Sequence, residues 1–334
     1  MQLITHLTHL RYLIGFTGSA GFLVLGKKKN WFFTDFRYRG IAQELEEKQE
    51  GQVPFKFVEM SEKWESVLKK ELEKDSQVEF EARHMTVESL KNWKKKFKGM
   101  SWSPTQNPIE DRRKCKDPQE LAALHASQKI NEAVLEKVEK LLKPGVTELE
   151  IAWKIKSIGH DLGADDISFE PIVAFGSHSA VPHHHNTETK LTEKDLVLID
   201  MGMKLDGYCS DMTRTFLSKQ ASQEEKNVYA LVLEAQEAGI AAIKSGVKCS
   251  AVDQIARDVM GEHAKDFGHS LGHGIGLDVH ENPSLSSRSK DILEENMVVT
   301  VEPGIYLPGR FGVRIEDMGR VTQDAYENFT GAKK

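Results

Sequence analysis

The stretch LIDMGMKLDGYCSDMTRTF, residues 198 to 216, carries Asp206-Gly207 with strand-forming residues on both sides. Asp-Gly in that setting is a two-residue hairpin loop, which fixes the pairing of everything around it. Leu205 then pairs with Tyr208, Gly202 falls opposite Asp211, and Asp200 lies two residues further along the same face. The two carboxylates become diagonal neighbours on one side of a sheet that has Leu198, Ile199 and Phe216 to bury. Two anions that close, partly buried, force a proton onto one of them unless something positive lies between. A metal ion meets that demand. A register slipped by one would instead turn the aspartates apart, with Asp200 ending a strand and Asp211 capping a turn. The hairpin alone supports both readings.

The chain of 334 residues has room for two domains, and 39% hydrophobic with 29% charged residues is the balance of an ordinary soluble globular protein. A net charge of −6 argues against a nucleic-acid partner held through phosphates. The lysine runs KKK (27 to 29) and KNWKKKFK (91 to 98) read as solvated faces. No apolar run reaches the length of a membrane span, and MQLITHLTHLRYL lacks the features of a signal peptide. A cytoplasmic protein without a membrane partner is expected. Cys115, Cys209 and Cys249 are too scattered for a disulfide framework or a cysteine-based zinc site.

The first hundred residues mix strand-like runs (GFLVLG, NWFFTDFRY, VPFKFVEM, QVEFEA) with helical ones at Tyr38 to Lys48, Ser61 to Lys74 and Val87 to Lys98, an α/β pattern. The polar segment 101 to 120, punctuated by three prolines, reads as a boundary. Pro118 then opens a long helix with apolar residues at helical spacing until KPG stops it. Thr147 and Glu150 form a capping box for a second helix, Ser222 with Glu225 starts a third, and a fourth is expected over Ala251 to His263. Strands are expected in FEPIVAFG, DLVLIDMGMKL, GYCSDMTRTFLS, NMVVTVEPGIYL and FGVRIEDMGRVT.

Three further stretches depart from plain structural patterning. In MVVTVEPGIY, Val299 and Val301 alternate with Thr300 and Glu302; in GVRIEDMG, Val313 and Ile315 alternate with Arg314 and Glu316. In GHSLGHGIGLDVHE, His269, His273 and His280 stand among glycines, where backbone can approach a ligand closely. Each has a plain structural reading: a strand-end carboxylate, a cross-strand ion pair, loop histidines. Together, two Asp, two Glu and one His make an oxygen-rich set suited to two divalent ions of the Mn²⁺, Co²⁺ or Zn²⁺ type. Two-metal hydrolytic sites, with ions about 3.5–4 Å apart, activate a water and polarise a carbonyl.

The segments SFEPIVAFGSHSAVPHHH, LVLIDMGMKLDGYCSDMTRTF, GHSLGHGIGLDVHENP, VVTVEPGIY and GVRIEDMG resemble, in order, the five signature blocks of the Xaa-Pro peptidases, the prolidase and aminopeptidase P branch of the pita-bread metallopeptidases. RYLIGFTGSAGFLVLG followed by TDFRYRG is similar to the smaller domain that precedes the catalytic one there. The resemblance implies an α/β (α+β) fold: a creatinase-like domain over 1–112 and a pita-bread catalytic domain over 113–334. It also implies that Asp200 holds one metal, that Asp211 and Glu316 bridge both, and that His273 and Glu302 hold the other. His183 and His280 would support the tetrahedral intermediate and the substrate carbonyl or leaving group. Glu302 would also relay a proton, His269 would line the proline side of the pocket, and Arg314 would support the site. His184 and His185 match no functional position. The implied cofactors are two divalent ions, Mn²⁺ first, with Co²⁺ or Zn²⁺ as alternatives. The implied partners are short peptides beginning Xaa-Pro and a second copy in a homodimer. In that dimer TDFRYR would reach a partner's site, unless Asp35, Arg37 and Tyr38 only cap and pack a helix start. Ser177-His178-Ser179 departs from the Asn and Ala usual in relatives, at the pocket entrance.

Aminopeptidase P activity is the first reading, with prolidase activity on Xaa-Pro dipeptides as the alternative, since the same ligands serve both. Methionine aminopeptidase fits less well because of the additional amino-terminal domain and the EPGIY and RIED wording. A non-enzymatic binding protein on the same fold is the remote alternative, and the five intact ligand positions count against it.

Overall fold

Phe22, Val24 and Phe33 alternate along the chain with Leu23 and Phe32, and the two sets enter different hydrophobic cores. Strands apolar on both faces belong in a sheet covered on both sides. Such a sheet organises the first of two compact units, Met1–Asp111, in the computed structural model, which describes residues 1–61, 64–72, 77–106 and 108–334. Its elements are β1 (Gln2–Ile4), α1 (Leu7–Ile14), β2 (Phe22–Leu25), β3 (Asn30–Thr34), α2 (Arg39–Lys48), β4 (Lys56–Glu59), α3 (Trp64–Leu72), β5 (Gln77–Glu81), α4 (Val87–Lys96) and β6 (Ser101–Thr105), with α5 (Pro108–Lys114) running through the boundary. The strand order is β4-β3-β2-β1-β5-β6. Leu10, Leu13 and Ile14 of α1 and Ala42 of α2 pack on one face, Leu68 of α3 and Phe97 on the other.

The helices expected over 38–48 and 87–98 appear as α2 and α4; of the one expected over 61–74, α3 is seen, and 62–63 and 73–76 lie outside the described residues. Two elements went unforeseen at the amino terminus, because a three-residue strand and an eight-residue helix are too short for periodicity to register. The boundary segment is also more ordered than its prolines suggest. β6 is an edge strand, where Pro104 removes no ladder bond needed by a neighbour. Asp35 accepts a hydrogen bond from the Arg37 backbone N at 3.0 Å and pairs with its guanidinium at 2.7 Å.

The second unit, Arg112–Lys334, contains α6 (Pro118–Glu139), α7 (Glu148–Asp161), β7 (Asp166–Ile167), β8 (Ile172–Phe175), β9 (Val197–Met201), β10 (Met203–Leu205), β11 (Tyr208–Cys209), β12 (Met212–Phe216), α8 (Gln223–Ala242), α9 (Cys249–Met260), β13 (Gly272–Gly274), β14 (Glu281–Leu285), β15 (Val298–Val301), β16 (Gly304–Leu307), β17 (Phe311–Arg314), β18 (Asp317–Val321) and β19 (Tyr326–Asn328). It is built as two helix-on-sheet halves. One core joins α6 and α7 to β8, β9 and β12; the larger joins α8 and α9 to β15, β17 and β18. Capping boxes start three of the helices: Asp117 with Glu120, Thr147 with Glu150, and Ser222 with Glu225. α9 begins two residues before the expected Ala251 and ends at Met260, where Gly261, with a φ of +55°, stops the helix and opens a 3₁₀ turn over Gly261–Asp266. Among the described residues, no helix is long and apolar enough to cross a membrane.

Candidate metal centre

The Asp206-Gly207 loop has φ of +48° and +76°, as a two-residue hairpin loop of the I′ kind requires. Leu205 pairs with Tyr208, Met201 with Met212 and Asp200 with Thr213. The hairpin does not run on as one ribbon. β10 and β11 join β7 in one sheet while β9 and β12 join β8 in another, and the chain bends at Gly202 and at Ser210–Asp211. A Cβ at Gly202 would meet the Ser210 carbonyl oxygen at 2.0 Å, so only glycine allows this crossing. The bend frees Asp211 from a strand ladder and leaves it buried beside the sheet.

The other carboxylates arrive from β15 and β17. Val299, Val301, Val313 and Ile315 enter the larger core, which turns Thr300, Glu302, Arg314 and Glu316 to the opposite side. The Glu316 backbone N donates to the Thr213 carbonyl at 3.1 Å, and the Thr213 hydroxyl donates to Glu316 Oε2 at 2.7 Å. Below them Arg214, almost wholly buried, donates to the Glu316 carbonyl at 2.6 Å and pairs with Asp317 at 2.8 Å. β13 is squeezed between β14 and β15, where Cβ atoms on Gly272 or Gly274 would collide with the Thr300 and Asn282 backbones. His273, between these glycines, donates its backbone N–H to Thr300 Oγ1 at 3.1 Å.

Asp211, His273 and Glu316 each offer a ligand atom, all within 4.8 Å of one another. His273 Nε2 is 3.7 Å from Asp211 Oδ2 and 3.4 Å from Glu302 Oε1. Asp200 completes the group through Arg314, whose Nη2 donates to its Oδ2 at 2.7 Å. Asp200 Oδ1, Asp211 Oδ1 and Glu316 Oε1 are buried without a hydrogen-bond partner. Such orphans are costly unless a cation takes them.

The electrostatics carry the same message. Burial, then the charges of Glu316 and Asp200, push the Asp211 carboxyl well above its ordinary range. Burial, then Glu302 and Asp200, do the same to Glu316. Burial is also the main cause that lifts Glu302 to about 8, against the pull of Arg314. Burial and the neighbouring His280 drop His273 to about 3, so its ring stays neutral and able to ligate. Four carboxylates, three orphaned oxygens and one neutral imidazole fit divalent cations. The donor set fixes the charge class and leaves the element open.

The remaining expected residues lie around this group. His280 meets His273 edge-on, ring centres 4.4 Å apart. His183 is exposed on the turn after a short 3₁₀ segment, and its proximity adds to burial, the main cause that lowers both His280 and His269. Arg314 is buried, with contacts to Asp200, Thr213 and Tyr306. Burial would lower its pKa, but Tyr306, Asp200 and Glu302 hold it well above the ordinary value. His184 stands apart, hydrogen-bonded to Glu148 at 2.9 Å.

Sequence reasoning missed Tyr306. Its hydroxyl accepts from Arg314 Nη1 at 2.8 Å and lies 2.8 Å from His269 Nε2, while His269 Nδ1 lies 2.8 Å from the Ser270 carbonyl. A carbonyl only accepts, so Nδ1 carries the proton, and Nε2 accepts a hydrogen bond from the tyrosine hydroxyl. Burial, then Arg314, lowers His269 to about 4, consistent with that neutral ring. The available signal was the GIY of EPGIY: Tyr306 faces Gly312 across the β16–β17 hairpin, where a Cβ would lie 2.8 Å from the tyrosine ring.

Residues 122–323 match Metallopeptidase family M24, and residues 1–115 match the Creatinase/Prolidase N-terminal domain. The chain is 36% identical over 340 residues to the "uncharacterized peptidase YqhT" of Bacillus subtilis, covering 100% of this chain and 94% of that one. Among solved structures it is similar to the Xaa-Pro dipeptidase from Bacillus anthracis, with 36% identity, a TM-score of 0.94, and 100% of this chain and 93% of that one covered. It is also similar to the X-Pro aminopeptidase from Thermotoga maritima, with 32% identity, a TM-score of 0.90, and coverage of 99% and 95%. A creatinase-like amino-terminal domain, a pita-bread domain and a carboxylate cluster suited to divalent metal together make this chain a member of metallopeptidase family M24.

Proposed function

We propose that the chain hydrolyses the peptide bond before proline at the amino end of short peptides, with two divalent ions, Mn²⁺ first among them, held by Asp200, Asp211, His273, Glu302 and Glu316. The observation that carries this reading is the set of three buried carboxylate oxygens left without partners beside a neutral His273. Bound divalent ions supply Lewis acidity to the scissile carbonyl and lower the pKa of water.

The chain's own residues supply the rest. Glu302, 3.4 Å from His273, takes the proton from the attacking water and passes it to the departing proline nitrogen. His183 and His280 donate to the oxygen on which charge develops. With both ring nitrogens engaged by Tyr306 and Ser270, His269 offers the substrate only its carbon edge, which suits the apolar pyrrolidine. Arg314 fixes Asp200 and, through Tyr306, His269, so one side chain sets the spacing between ligand and proline wall. The bond cleaved is a tertiary amide without N–H, so recognition rests on the ring and the free amine and not on a strand-like hydrogen bond.

Aminopeptidase activity on longer Xaa-Pro peptides is the reading taken from the sequence. Dipeptidase activity is the second, favoured by the greater likeness to the protein named an Xaa-Pro dipeptidase (36% identity) than to the one named an X-Pro aminopeptidase (32%). Product release from an Xaa-Pro dipeptide and an Xaa-Pro-Xaa tripeptide, with metal-stripped protein reconstituted in Mn²⁺, decides between them. Cleavage of the tripeptide makes it an aminopeptidase, and cleavage of the dipeptide alone a dipeptidase. Silence on both with metal bound would overturn the reading.

A further inference from the structure

A second group of candidate ligands lies in the amino-terminal unit. β1 and β5 pair in parallel, Gln2 with Glu79 and Leu3 with Phe80, so the residues that follow each strand leave the sheet at the same edge. After β1 come His6 and, in the first turn of α1, His9; β5 ends on Glu81, and His84 sits in the turn beyond. One ring nitrogen from each of His6, His9 and His84 lies within 4.8 Å of the others. Glu110, on α5, stands against them, with Oε1 2.9 Å from His84 Nε2 and Oε2 3.9 Å from His9 Nε2.

His9 makes this more than a crowd of histidines. It is wholly buried, and its Nδ1 lies 2.5 Å from Glu81 Oε1. Glu81 is itself anchored, its other oxygen accepting the backbone N–H groups of Thr5 at 2.6 Å and His6 at 3.0 Å. A carboxylate on Nδ1 draws the ring proton to that side and leaves Nε2 a bare lone pair, the arrangement in which metal-ligating histidines are held. His9 Nε2 has no hydrogen-bond partner. It looks toward the Glu110 carboxylate and toward His6 and His84, whose rings stack 3.7 Å apart. A lone pair and a carboxylate facing each other across 3.9 Å require something positive between them.

We propose that His6, His9, His84 and Glu110 form a structural zinc site in the amino-terminal unit, with Glu81 orienting His9. Three imidazoles and one carboxylate make a closed four-ligand set of the kind Zn²⁺ takes, and no cysteine is involved. Donors on a tetrahedral Zn²⁺ at about 2.0–2.1 Å stand about 3.3 Å apart, so the side chains close in modestly as the ion binds. The site ties together the start of α1, the end of β5 and α5, segments far apart in sequence. It is separate in composition from the carboxylate centre, being rich in nitrogen where that centre is rich in oxygen.

The test uses the full-length chain carrying Asp211→Asn and Glu316→Gln, which disables the carboxylate centre, with Zn²⁺ alone as the probe. After equilibration with Zn²⁺ and gel filtration, elemental analysis is expected to find about one zinc per chain, and added Zn²⁺ to raise Tm. Adding His84→Gln, at a partly buried position outside the hydrophobic cores, is expected to remove that zinc and the Tm shift. Co²⁺ loaded into the same background gives the intense visible absorption of a tetrahedral ion, a readout that needs no histidine variant. In chains with an intact carboxylate centre, His84→Gln leaves peptidase activity unchanged. Zinc content and Tm shift that are indifferent to His84→Gln, or no retained zinc at all, would overturn the proposal and leave His9 as a structural residue held by Glu81.

Discussion

Glu148 and the Asp211–Glu316 pair are buried carboxylates of the same unit, wired in opposite ways. Glu148 accepts from the Phe175 backbone at 3.0 Å, from the Thr187 backbone and hydroxyl at 2.9 and 2.7 Å, and is bonded to His178 at 2.7 Å and His184 at 2.9 Å. Burial alone would raise its pKa, but these partners outweigh burial and hold it below the ordinary value. Asp211 and Glu316 each keep an oxygen without any partner, and their pKa values go well above the ordinary range. Both groups hold imidazole and carboxylate atoms close enough to grip a metal. Proximity therefore does not separate them; hydrogen-bond satisfaction does. A buried carboxylate fully supplied with donors is part of the scaffold, while one left short awaits a cation that the chain does not provide.

The largest effect expected from breaking this contrast is that of Asp211→Asn. Loss of a proposed metal ligand would forfeit several kcal/mol of Lewis-acid stabilisation, a fall in kcat/KM of about 10³-fold or more. The same variant, stripped of metal, should melt above the metal-free wild type, because a neutral amide replaces a repelling buried acid; a lower Tm would refute the strain assigned to the cluster. Glu148→Gln should act in the other direction. It removes charge-assisted hydrogen bonds worth about 2–3 kcal/mol of stability while bound metal at the carboxylate centre stays the same. A parallel fall in metal content would make Glu148 a ligand and erase the distinction.

Acidity sharpens the contrast with a smaller effect. Glu302, raised from 4.5 to about 8, keeps its proton in the folded metal-free protein over a range where the unfolded chain has released it. Its contribution to stability is thus fully present below about pH 4.5 and is lost as the pH rises toward 8. Metal-free protein should lose a few degrees of Tm over that interval, and metal-loaded protein should not. Glu148, depressed in the folded state, acts with the opposite sign: its contribution is present above 4.5 and lost as the pH falls through its folded value. In the metal-free protein, Glu148→Gln should flatten the acid limb of the Tm profile and Glu302→Gln the alkaline limb. The smallest effect is expected for Tyr306→Phe. It strands His269 Nε2 and one Arg314 donor, and kcat/KM should fall about tenfold with metal content intact. Loss of metal from that variant would mean that Arg314 holds Asp200 only with the tyrosine's help.

Much of this arrangement was legible in the chain because it depends on short-range rules. An Asp-Gly pair needing two positive φ values set the hairpin register that puts Asp200 opposite Thr213. Alternation along two strands separated Glu302 and Glu316 from the valines beside them. Thr147 and Ser222 announced helix starts through residues three positions on. Less was legible where a proline or a short element hid the outcome, as in β6 with Pro104 and in β1, only three residues long.

The amino-acid order by itself determined which residues are available to bind metal and which face of its strand each occupies, since period, turn chemistry and chirality act over a few bonds. Only the tertiary structure decided how the polar atoms are shared out. Glu148 collects donors from Phe175 through Thr187, Tyr306 stands between Arg314 and His269, and His9 meets Glu81 across 72 positions of chain. A hydrogen bond depends on tenths of an ångström between groups that sequence leaves far apart, so whether a buried carboxylate is satisfied or left waiting for a cation appears only once the chain has folded.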